Sequence, residues 1–109
     1  MNKSPAKKQN FKDLVEDART IGISPGEVRR IQEVVKRHRF PADVQSVEVN
    51  FGRDWVGAPA AWILFSVQDD LNPSKEKISG LNKFADSVRD DLLKTHPSYW
   101  PYIDFRATS

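Results

Sequence analysis

Apolar side chains recur in two rhythms along this chain, and the change from one to the other marks its elements. Phe11, Leu14, Val15 and Ala18 stand at i, i+3, i+4 and i+7, which is one face of a short helix ending near Thr20–Gly22. Ser24-Pro25-Gly26-Glu27 then has the form of a capping box with proline at the first helical position. The helix it opens runs to about Arg39, with Val28, Ile31 and Val35 as its buried stripe, and Phe40-Pro41 stops it because proline disfavours helix in the residue before it. The rhythm next drops to two. Val47, Val49 and Phe51 alternate with Glu48 and Asn50, predicting a half-buried strand. After a Gly/Pro loop over 52–59, Ala60 to Val67 is apolar except at Ser66, predicting a strand covered on both faces or central in a sheet, with Trp62 in the core. Asn72 or Ser74 is placed to cap a second long helix, whose stripe is Ile78, Leu81, Ala85, Val88 and Leu92. It ends near His96-Pro97, and residues 102–105 read as a last short strand that could pair with either earlier one.

The predicted fold is α+β: a short N-terminal helix, then α-β-β-α-β, with a three-stranded sheet covered on one face by two helices. Residues 1–9 read as a disordered basic tail, 10–23 as a short helix and turn, and 24–109 as one domain.

Composition narrows the chemistry. With 109 residues and no cysteine, disulfides, thiolate metal sites and a cysteine nucleophile are excluded, and a reducing cytoplasmic setting is expected. No apolar run is long enough to span a bilayer, and the basic start lacks the apolar segment of a secretory signal, so no membrane partner is expected. The net charge of +2 is unevenly spread: residues 1–39 hold ten Lys/Arg against five Asp/Glu, and residues 40–109 hold seven against ten. Such an asymmetry can steer an anionic partner or draw two copies together.

No catalytic or metal site is expected, and no cofactor or small-molecule substrate is evident. His38 and His96 sit at predicted helix ends, where the helix dipole accounts for them. Asp69-Asp70 opens a helix and Asp90-Asp91 lies on an exposed face, so neither pair reads as an acid–base dyad. No phosphate loop, nucleophile elbow or zinc-ligand spacing occurs. Two binding surfaces stand out. Trp55, Tyr99 and Trp100, in or beside loops, are candidate protein-contact residues, for a different protein or for a second copy in a homodimer. Arg29, Arg30, Lys36 and Arg37 on the first long helix, with Lys7 and Lys8 of the tail, are the alternative: a basic surface for nucleic acid.

Two resemblances bear on this. Ala18, Gly22, Ile23, Ser24 and Val28 match a helix-turn-helix position by position. The same stretch is similar to the helical hairpin of small anti-repressors of the SinI type, which implies DNA in the first case and a protein partner in the second. Over Phe51 to Phe105, Gly57-Ala58-Pro59-Ala60 entering a strand with Trp62, the acidic turn, and Trp100-Pro101-Tyr102-Ile103-Asp104-Phe105 resemble small uncharacterised bacterial proteins. Some of these are encoded beside HEPN-type, toxin-like proteins, which implies a bacterial or phage origin and an accessory, operon-partner or antitoxin-like role. The expectation is a non-enzymatic interaction or regulatory module.

Overall fold

The computed structural model describes residues 10–68 and 73–108. Lys7, Lys8, the rest of the tail and the Asp69–Asn72 turn lie outside the described residues. The elements are α1 (Phe11–Arg19), α2 (Pro25–Arg37), β1 (Val44–Arg53), β2 (Pro59–Gln68), α3 (Lys75–Leu93) and β3 (Trp100–Thr108). The α+β class and the element order are as the sequence predicts.

Local chemistry sets the helix ends. Asn10 caps α1 by accepting from the Lys12 N–H. Gly22, with φ of +83°, turns the chain between α1 and α2 in a conformation that a side chain would strain, and the Ile23 N–H returns to the Ala18 carbonyl at 3.0 Å. Ser24 caps α2 through the complete capping box with Glu27. Ser74 caps α3 through the Lys77 N–H. At the far end of α3, His96 takes a left-handed backbone (φ 50°), donating its N–H to the Leu93 carbonyl just before Pro97. His96 is therefore a helix terminator, exposed to solvent.

The sheet order is β1-β2-β3. β2 pairs antiparallel with β1 and parallel with β3, so the last strand chooses β2, and α3 forms the crossover between the parallel pair. Registered partners share a face of the sheet. Val47/Phe65, Val49/Ile63, Phe51/Ala61, Ile63/Ile103 and Phe65/Phe105 therefore all point to one side, and this side carries the core. At its centre Phe65 is fully buried and meets Phe84 of α3 at 4.9 Å between ring centroids, with Phe40 and Phe105 around it.

Above that face lie the helices. α1 sits against β1, α3 against β3, and α2 lies between α1 and α3. Leu14, Val15 and Ala18 of α1 belong to the same buried cluster as Val28, Ile31, Val34 and Val35 of α2. The first helix thus adds a third cylinder to the layer that the two long ones form. On α3, Phe84 joins the buried stripe, whereas Ile78 in the second turn is 46% exposed.

Candidate functional site

Among the described residues, no helix lies over one face of the sheet. Its residues are the alternate positions of each strand: Gly52/Ala60, Asn50/Trp62 and Glu48/Leu64 between β1 and β2, then Ala60/Trp100, Trp62/Tyr102 and Leu64/Asp104 between β2 and β3. Trp62 is therefore not a core residue, which corrects the expectation that it is one; of the two readings of β2, the central position in the sheet holds and cover on both faces does not. β2 is central, but its second apolar row faces outward. That row is sheltered by aromatic neighbours instead of a helix. Trp62 stacks on Tyr102 with centroids 5.5 Å apart and planes 15° apart. Gly52 leaves room beside it, since a Cβ there would touch the Trp62 ring at 3.4 Å.

The hairpin loop folds onto the same cluster. Asp54 is its organiser: its Oδ1 accepts the N–H groups of Val56 and Ala58, and its Oδ2 accepts the Tyr102 hydroxyl at 2.9 Å. Desolvation opposes the charge on Asp54, but these three hydrogen bonds outweigh it and hold the carboxyl below its ordinary value. Gly57, at φ +84°, closes the turn, and Arg53 donates to its carbonyl at 2.9 Å. The loop so fixed presents Trp55, whose ring meets Tyr102 at 5.6 Å yet remains 81% exposed. Val56 beside it is 76% exposed, and Trp100 is 47% exposed. All three tryptophans of the chain thus lie on the helix-free side. Around them stand Asp54, Glu48 and Asp104 with two guanidiniums, Arg53 on the Gly57 carbonyl and Arg106, which reaches Glu48 at 3.5 Å.

Tyr99 does not belong to this surface. It is 5% exposed and packs in the helix-side core, because the residue before Trp100 turns the opposite way as β3 begins. Burial, and then the nearby Glu27 charge, push its hydroxyl pKa well up. Sequence reading missed Trp62, Leu64 and Tyr102 as members of the face. The signal was present in the alternation of Trp62 with Ile63 and of Trp100 and Tyr102 with Pro101 and Ile103, where both rows are apolar.

The basic residues of α2 are divided between two neighbours. Arg29 lies over the Phe11 ring of α1 at 5.5 Å, and Lys36 is exposed on that flank. Arg30 and Arg37 turn towards α3 and converge on Asp91, at 3.8 and 3.3 Å, where His38 also shares a hydrogen bond of 3.1 Å and Lys94 lies at 3.9 Å. Partial desolvation would raise the Asp91 pKa, but the His38 hydrogen bond and the Arg37 and Lys94 charges lower it overall. Asp91 is thus a hub that neutralises part of the basic surface. Among the described residues no three His, Asp or Glu side chains gather in a metal-holding group, and no helix is long and apolar enough to cross a membrane. No protein-family model, curated protein or solved structure matches the chain.

Proposed function

We propose that this protein is a binding module that recognises another protein through the helix-free face of its sheet and the hairpin loop above it. The observation that carries this reading is Trp55, held out to solvent at 81% exposure by a loop whose hydrogen bonds fix it against Tyr102, which in turn stacks on Trp62. Large aromatic rings on a rigid base are what interface centres are made of, because they bury much area at small entropic cost. The sign of the charge selects the partner. A platform for single-stranded nucleic acid needs a positive groove beside its aromatic rings. Here three carboxylates stand against two guanidiniums, Arg106 paired with Glu48 and Arg53 turned onto the Gly57 carbonyl, so no positive groove forms and a basic protein surface is the better match.

Area argues in the same direction. Three strands spaced ~4.8 Å and ~30 Å long offer about 450 Å² of flat face. A standard interface takes about 800 Å² from each partner. A second copy meeting this one face to face would fall short, whereas a partner that also wraps Trp55 and Val56 can reach the standard size. The engagement of Arg30 and Arg37 at Asp91 weighs against α2 as the main binding surface. The resemblance to proteins encoded beside HEPN-type neighbours makes the adjacent gene product the first partner to try.

The test is co-purification of the tagged protein with that neighbour, and from extracts of the source cells, using the wild type and the Trp55→Ala and Trp100→Ala variants. A stoichiometric protein partner lost in both variants is expected, with a blue shift of tryptophan emission on binding. The reading fails if no partner appears, or if binding survives both substitutions.

A further inference from the structure

On the opposite side of the molecule a groove of about 480 Å³ opens between the α2–β1 turn and the middle of α3. Its floor is apolar: Phe40 and Phe84 lie there, edge to face at 5.7 Å, with Pro41 beside them. Its rim is cationic and hydrogen-bonding. Arg39 and Lys83 flank it, with the Ser87 hydroxyl one turn beyond Lys83, and His38 is held at its end by Asp91. Among the described residues, no carboxylate lines it.

Gly80 supplies a second, independent observation. A glycine inside a helix has a cost in stability relative to alanine. At Gly80 nothing accounts for that cost: its φ is not left-handed, and no atom lies within 4 Å of where a Cβ would be. What the missing side chain does is leave the groove open, one turn before Phe84.

We infer that this groove binds a small organic anion with a flat apolar body, of the phosphomonoester class. The ring lies against the half-buried Phe40 and Pro41, with the buried Phe84 behind them, and the oxyanion is met by Arg39, Lys83 and the Ser87 hydroxyl through charge-assisted hydrogen bonds. A doubly charged phosphate matches two flanking cations better than a single carboxylate does. The site is independent of the aromatic sheet face, which lies across the core from it.

The probe is phenyl phosphate, compared with inorganic phosphate and with phenol, titrated into uniformly ¹⁵N-labelled full-length protein and followed by amide chemical shifts. Saturable shifts at residues 39–42, Gly80, Lys83 and Ser87 are expected in the millimolar range, with phenyl phosphate binding about tenfold more tightly than either fragment. Lys83→Glu and Arg39→Glu should each weaken it by about tenfold or more. Gly80→Leu should keep the fold, because its Cβ points into open space, and should block binding. Lys75→Glu, on the same helix but outside the groove, and Trp55→Ala should leave binding unchanged. The inference is overturned if the shifts centre elsewhere, if phenyl phosphate binds no better than phosphate, if Lys75→Glu weakens binding as much as Lys83→Glu, or if Gly80→Leu binds like the wild type.

Discussion

Glu27 carries two jobs at once, and removing it should cost more than the loss of a helix cap. Its carboxylate closes the capping box on Ser24, at 3.0 Å to the N–H. It also accepts the Ser98 N–H at 2.8 Å and the Ser98 hydroxyl at 2.8 and 2.9 Å, tying the start of α2 to the residues that lead into β3. Loss of a capping arm costs roughly 0.5–1 kcal/mol. A hydrogen bond to a charged group is worth about 1.5–3 kcal/mol when buried, and about half that here after discounting for solvent around this partly exposed pair. Glu27→Ala should therefore destabilise by ~2 kcal/mol, equivalent to a fall in Tm of about 8–16 °C for a domain of this size. Urea unfolding of the wild type, Glu27→Ala, Ser98→Ala and the double variant measures this. A coupling energy of at least about 0.5 kcal/mol between the two positions is expected. Additive single effects, or a loss below about 0.5 kcal/mol in Glu27→Ala, would refute the latch. Its pH dependence has a definite sign. Partial burial opposes the Glu27 charge, but the Ser98 and Ser24 hydrogen bonds prevail and lower its pKa in the folded protein. The stabilisation is then complete above the unfolded carboxyl value and is lost as pH falls through the lowered folded value.

Three further outcomes follow from the same coordinates. Asp91→Asn should destabilise near neutral pH, because Arg30, Arg37 and His38 lose their shared counter-charge; since the folded Asp91 pKa is lowered, the gap from wild type should close as pH drops through that value, which acid titration of Tm would read. Phe65→Ala, at the fully buried meeting point of Phe40, Phe84 and Phe105, should cost about 3–5 kcal/mol in denaturant unfolding. Trp55→Ala, by contrast, should change stability by less than about 1 kcal/mol, because most of the ring is already in water, and unfolding by circular dichroism should overlay the wild type closely.

Much of the fold could be read from residues a few positions apart. The 3.6-residue spacing of Leu14, Val15 and Ala18 and of Val28, Ile31 and Val35, the Ser24–Glu27 box, the Ser74 cap and the alternation in β1 all act within one or two turns of chain, and each appears where the local pattern puts it. The candidate face was half legible. Trp55 and Trp100 stand out in the sequence as loop-edge aromatics, whereas Tyr99, their neighbour along the chain, points into the core. Trp62 and Tyr102 went unseen because an apolar residue in a strand looks the same whether its face is roofed by helices or open.

Which of those two holds is a long-range matter. A strand with apolar residues on both rows states that both faces are sheltered, but not by what. Here three helices compete for the same side of the sheet, and the other side is left to aromatic rings stacking on one another across the strands. Likewise the chain spells out Glu27 as a capping residue and Asp91 as a helix-surface acid. Only folding brings Ser98 to the first, and Arg30, Arg37 and His38 to the second. Periodicity and capping are settled by neighbours along the backbone. Strand choice, the open face and the charge hubs depend on contacts between residues forty or more positions apart, whose pairing no local pattern encodes.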